Sequence, residues 1–203
     1  MHQGVFKGNN LVENCNILIL GESHHHTEKN DINYTTEKVV KDYFCNPNDR
    51  DYKFFDKIAA CFGYLEKDRE TFWNKVYFGN YVDESDCGIK TDRAKKLIEQ
   101  NNQMYNKKLF EFVNQNEIDI IFCFSRLVYK QFPLRHKSVY FEVPKTGKKS
   151  DWINRVVYKP GIRLVGDTVL KKNLTVYGFR HPSARCGFCS EHYKNYLQKE
   201  IQV

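Results

Sequence analysis

"NILILGESHHH", Asn16 to His26, decides the fold. Ile17 to Leu20 are apolar without alternation, and the run stops at Gly21. A short segment apolar on both faces suits a strand covered on both sides, the habit of parallel sheets. An acid, a serine and three histidines follow at once. The same pattern recurs downstream. "IDIIFCF" (Ile118 to Phe124) stops at Ser125-Arg126, and "LTVYGF" (Leu174 to Phe179) stops at Arg180-His181-Pro182. "KVYFGNYV" (Lys75 to Val82) reads as a fourth strand, running into Gly79-Asn80.

Helical patterns lie between these strands. "YTTEKVVKDYF" carries Val39, Val40, Tyr43 and Phe44 on one face, with Thr35 placed to cap it. "YKFFDKIAACFGYL" spaces Phe55, Ile58, Ala59 and Phe62 helically and meets Gly63. "RAKKLIEQNNQMYNKKLFEFVNQN" reads as one long amphipathic helix, and "SEHYKNYLQKEI" as a last helix capped by Ser190. From Pro133 to Leu174 the alternation breaks. "SVYFEV", "INRVVYKP" and "IRLVG" read as short antiparallel strands. The expectation is a single α/β domain over residues 1–203. It is a three-layer αβα sandwich around a central, mainly parallel four-stranded sheet, with an antiparallel ribbon inserted beside it at about 133–173.

Composition sets the class. The 203 residues are 41% hydrophobic and 15% aromatic, enough for a packed interior and too apolar for disorder. No apolar run approaches the ~18 residues of a membrane span, and "MHQGVFKGNN" lacks the apolar core of a signal peptide. Seven scattered cysteines, an odd number, read as reduced thiols of a cytoplasmic protein. Net charge is +7, unevenly placed. From Arg126 to Arg185, 14 Lys and Arg stand against three acids, a balance of +11, while the remainder carries −4. A basic face of that kind draws polyanions, nucleic acid first.

Sites in parallel sheets lie beyond the carboxyl ends of the strands. That rule gathers Glu22, Ser23 and His24 with Asn80, Ser125-Arg126 and His181-Pro182-Ser183 at one edge. Several chemistries compete for such a set. The adjacent His24, His25 and His26 diverge, and "CGFCSEH" offers only Cys186, Cys189 and His192, so a tetrahedral zinc site lacks a partner motif. No GxGxxG or GxxxxGK[ST] is present, and "KTGKKS" lacks the upstream glycine of a phosphate loop. Neither Ser23 nor Ser183 sits in GxSxG. Glycosidic chemistry fits the residue types. A carboxylate steadies a sugar cation or orients a water, an imidazole donates to the leaving base, and an amide reads its edge.

Taken in order, these segments resemble the uracil-DNA glycosylase superfamily. Gly21-Glu22-Ser23 is similar to its first motif, most closely in the branch beginning Gly-Glu-Ala-Pro-Gly. "YFGNY" resembles the strand end whose Asn reads the flipped base. "INYTTE" falls where the family places a stacking aromatic, and "HPSARCGF" resembles the His-Pro-Ser motif, whose loop pushes into the duplex. The likeness runs from about Asn16 to Leu197. It implies a DNA glycosylase acting on uracil or a modified pyrimidine, with no metal and no dissociable cofactor. Glu22 and His181 would be catalytic, and Ser23, His24, His25, Tyr34 and Asn80 would bind the base. Arg126, Lys148, Lys149, Ser183, Arg185 and Phe188 would meet DNA, with Arg185 or Phe188 as the wedge. The partner is DNA, not a membrane, and the protein is expected to be a monomer. His24 stands where the family has Pro, and no cysteine pair precedes the first motif. A polar wall at His24 and His25 points to a hydroxylated or glucosylated base. The alternative is a non-catalytic nucleic-acid-binding module on the same fold.

Overall fold

The computed structural model describes residues 4–23, 35–46, 52–82, 91–143, 151–184 and 188–200. The chain is mixed α/β. Among the described residues nine strands form in order: β1 (Phe6–Lys7), β2 (Ile17–Gly21), β3 (Tyr77–Asn80), β4 (Ile120–Cys123), β5 (Val139–Val143), β6 (Asp151–Tyr158), β7 (Arg163–Val165), β8 (Thr168–Val169) and β9 (Leu174–Gly178). The α-helices are α1 (Thr36–Cys45), α2 (Lys53–Cys61), α3 (Arg69–Trp73), α4 (Thr91–Gln100), α5 (Asn102–Gln115), α6 (Arg126–Tyr129) and α7 (Ser190–Glu200).

The four expected strands lie side by side as β3-β2-β4-β9, all parallel. β2 is buried along its length because both its faces are covered. Ile17 and Ile19 enter one core cluster with residues of α1, α2, α3 and α7, while Leu18 and Leu20 enter a second with residues of α4, α5 and α6. The first cluster is rich in rings: Phe55, Phe72 and Phe78 each meet the buried Trp73 edge-on at 5.0–5.3 Å. Such edge-to-face contacts fix ring positions as well as burying area.

The sheet is larger than expected. It has seven strands in the order β1-β3-β2-β4-β9-β6-β5. β1 pairs antiparallel with β3 at one side, and β6 then β5 add antiparallel beyond β9. The supposed ribbon beside the sheet is therefore two more strands of the sheet itself, and only β7 and β8 stand apart as a two-stranded pair. The cause is the edge of β9, whose unpaired backbone groups β6 satisfies from Asn154 to Tyr158. Ile153 reaches the first core cluster and Val156 and Tyr158 the second, so β6 adds to both cores, while Val157 on the Ile153 face stays exposed.

Local chemistry explains several helix ends. Thr35 caps α1 by accepting from Lys38 N–H at 3.2 Å. Gly63, just past α2, takes φ +87°, which a glycine adopts without strain. The long amphipathic segment is not one helix but two, broken at Asn101. There the side-chain amide donates to Leu97 O at 3.3 Å, and Tyr81 Oη donates to the next carbonyl, that of Asn102, at 3.1 Å. Asn competes with the helical ladder in this way. Ser190 is the first residue of α7, and its hydroxyl donates to Lys57 O at 2.9 Å, joining α7 to α2. Among the described residues no helix is long and apolar enough to cross a membrane.

Candidate functional site

The four parallel strands end level with one another. Gly21 pairs with Asn80, Leu20 with Cys123, and Cys123 with Gly178. The backbone ladder continues slightly further: Tyr81 N donates to Gly21 O (3.1 Å), Val82 N to Glu22 O (3.0 Å), Phe124 N to Leu20 O (2.9 Å) and Phe179 N to Cys123 O (2.8 Å). Glu22, Asn80, Ser125 and His181 therefore leave adjacent strands from one edge. Neighbouring strands lie ~4.8 Å apart, which sets the β9 exit about two spacings, ~10 Å, from that of Glu22.

Glu22 is held from two sides. Its carbonyl accepts from Val82 N–H, and its Oε2 accepts a hydrogen bond from Ser125 Oγ at 2.7 Å. Ser125 is 1% exposed and caps α6, with Oγ accepting from Val128 N–H at 3.2 Å. Asn80 is 6% exposed. Its Oδ1 would stand only 2.3 Å from a Cβ placed on Gly21, so the amide lies over the bare Cα of the facing residue. Ser23 Oγ is buried and finds no hydrogen-bond partner among the described residues. Arg126 opens α6 directly after Ser125.

His181 is half-buried and oriented by its own loop. Its Nδ1 accepts from Ser183 N–H at 3.2 Å. A ring nitrogen that accepts carries no hydrogen, so the neutral ring keeps its proton on Nε2. Phe54 of α2 meets the imidazole at 5.3 Å between ring centres, and Lys57 Nζ, three residues on, donates to Pro182 O at 2.9 Å. α2 thus supports the His-Pro-Ser turn at two points. Ser183 is exposed. Phe188 packs inward, 5.1 Å from Tyr193 and 6.5 Å from Phe124, and anchors the loop in this conformation.

His24, His25, Tyr34, Lys148, Lys149 and Arg185 lie outside the described residues. The strands flanking Lys148 and Lys149 are described, and they run to the site edge. Asn154 pairs with Gly178, so Asp151 to Ile153 of β6, matched with Phe141 to Val143 of β5, continue past the end of β9. Three residues of strand extend ~10 Å.

Phe54 and Lys57 are contributors that motif reading passes over, and it places Ser125 and Gly21 at the edge without giving Ser125 a partner or Gly21 a packing part. Only Ser125 carries a local signal, a hydroxyl at the junction of an apolar strand and a short helix. Among the described residues no group of three or more His, Cys, Asp or Glu is arranged to hold a metal. Cys15, Cys45, Cys61, Cys123 and Cys189 are free thiols. Burial pushes the Cys123 thiol up to about 12, with the Glu22 charge adding to the effect, and burial raises Cys61 further still. Neither is a nucleophile at neutral pH.

No protein-family model matches the sequence, and no curated protein matches it.

Proposed function

We propose that the protein is a DNA glycosylase that hydrolyses the N-glycosidic bond of a flipped-out uracil or modified pyrimidine and leaves an abasic site. The observation that carries this reading is the edge itself. The Glu22 carboxylate, held by Ser125, and the Asn80 amide leave neighbouring strand ends, and the His181 imidazole, with Ser183 N–H on its Nδ1, leaves two strands away from Glu22. Scission of the bond between C1′ and the base nitrogen leaves the electron pair on the base and positive charge on the sugar. Glu22 stabilises that charge and orients a water whose oxygen bonds to C1′, while the water's proton passes to the carboxylate or to solvent. His181 Nε2–H donates to the base carbonyl on which negative charge grows. The Asn80 amide has both a donor and an acceptor for the base edge.

The supports around this set agree with DNA as partner. Flipping a base costs a few kcal/mol, which a stacking aromatic and a loop entering the duplex offset, and Tyr34 and the segment around Arg185 are assigned those parts. Phe188 would have to leave its contact with Tyr193 to act as a wedge, which favours Arg185. The described ends of β5 and β6 run past the end of β9 toward this edge, and the sequence between them carries Lys145, Lys148 and Lys149, which we assign to phosphate contact. Phosphate neutralisation there supplies affinity without sequence preference.

The test is a panel of duplex and single-stranded DNAs carrying uracil, mismatched thymine and hydroxymethylated or glucosylated cytosine, scored by alkali cleavage at abasic sites. Glu22→Gln should lower the single-turnover rate by ~10²–10⁴-fold with DNA affinity nearly unchanged. Tight DNA binding with no cleavage of any base by the wild-type chain would leave a binding module instead.

A further inference from the structure

We infer that Ser125 is a positioning residue for Glu22, its hydroxyl fixing one carboxylate oxygen so that the other is presented to the reacting sugar. The inference rests on the glycosylase reading for its consequence, but its geometry stands apart from it. Ser125 Oγ has one hydrogen to give. It accepts from Val128 N–H at 3.2 Å, and its one hydrogen is donated to Glu22 Oε2 at 2.7 Å. The donor is itself rigidly mounted. Ser125 O accepts from Tyr129 N–H at 2.9 Å and from Cys123 Sγ at 3.3 Å, and Tyr129 packs over Gly178 of β9, with ring carbons 2.5 Å from where a Cβ there would stand. One serine therefore ties the end of β4, the first turn of α6 and the carboxylate of β2 together across 103 residues of sequence.

A glutamate has three side-chain torsions and loses much rotamer freedom when held. Without the donor, Glu22 keeps its charge but not its place, and a misplacement of ~1 Å costs on the order of 10²-fold in rate. The Cys123 thiol of β4 is close enough to feel the Glu22 charge.

The experiment compares Ser125→Ala and Ser125→Thr by steady-state kinetics and by the ¹³C resonance of the Glu22 carboxyl, assigned with Glu22→Gln. Ser125→Ala should lower kcat by ~10–100-fold with KM within about twofold, and Ser125→Thr, which restores the hydroxyl, should recover most of it. In the Glu22→Gln background Ser125→Ala should add nothing, whereas mere loosening of the α6 cap would still slow that enzyme. The Glu22 resonance should move in Ser125→Ala and return in Ser125→Thr. A wild-type kcat in Ser125→Ala, a persisting effect in the Gln background or an unmoved resonance would each overturn the inference. If the wild-type chain cuts no base, the glycosylase reading fails, and the resonance still decides whether Ser125 holds Glu22.

Discussion

Replacing Gly21 by Ala adds one methyl group at the most crowded point of the site edge. The new Cβ would lie 2.3 Å from Asn80 Oδ1 and 3.5 Å from its Cγ. Ordinary carbon–oxygen contact needs ~3.4 Å, so the amide oxygen must retreat by ~1 Å. Asn80 is 6% exposed and its backbone is held in register with Gly21, which leaves the side-chain torsions to absorb the shift. Overpacking of this sort costs ~1–3 kcal/mol of stability. If the Asn80 amide reads the base as proposed, its displacement by ~1 Å costs on the order of 10²-fold in kcat/KM. The decisive assay is a double-mutant cycle with Asn80→Ala, scored by urea denaturation and by excision. Removing the amide removes the clash, so Gly21→Ala should be nearly silent in stability and in rate once Asn80 is Ala. Equal losses in both backgrounds would refute the reasoning, because the methyl group would then be acting on something other than Asn80.

Lys57→Met should leave the fold intact and reduce excision, since Pro182 O loses its donor and the turn carrying His181 loses one of two supports; the two arms are thermal denaturation and single-turnover rate. DNA affinity should fall steeply with ionic strength, and Lys148→Ala with Lys149→Ala should flatten that slope without altering base preference, as a salt titration of binding would record. His24→Ala with His25→Ala should narrow a preference for decorated pyrimidines over plain uracil, measured as a ratio of kcat/KM values. The Cys123 thiol, raised to about 12 from an ordinary value of 9.0, binds its proton more tightly folded than unfolded. Its stabilisation is complete below pH ~9 and is lost as pH rises toward 12, at about 1.4 kcal/mol per pH unit, so Cys123→Ala should lose stability less steeply than wild type over that window.

What was legible in the sequence follows from range. Ile17 to Leu20, Ile120 to Cys123 and Leu174 to Gly178 announced themselves because a strand buried on both faces needs only its own residues to be apolar. Thr35 and Gly63 were readable for the same reason, since a cap and a positive φ are local. The edge rule then brought Glu22, Asn80 and His181 to one side without any knowledge of contacts. Ser125 as the donor to Glu22 was not readable, because 103 residues separate the pair and only the β2–β4 register brings them together. The union of β6 with β9 was hidden likewise, as strand composition does not say which edge a strand will take. β1, α3 and α6 are two to five residues long, too short for any period to show. The break at Asn101 turned on side-chain hydrogen bonds that amphipathic spacing does not encode.

The central place of β2 has a consequence for how the chain is born. Its neighbours are β3, ~60 residues later, and β4, where Leu18 meets Ile121 after ~100 residues. At a synthesis rate of ~5–20 residues per second, Ile17 to Leu20 wait roughly 5–20 s after emerging before their second partner exists. Until β3 emerges a wholly apolar strand has both edges open, and one edge stays open until β4 follows, the condition that invites pairing with other chains. Loop closure over such distances is also slow, so the parallel centre should be the last part of the sheet to assemble even after release. The hairpin of β5 and β6, closed by nearby residues, has no such delay and can form first. The edge that carries Glu22 and His181 is therefore completed late in folding, and nascent chains of this protein should engage holdase chaperones through the segment from Asn16 to Gly21.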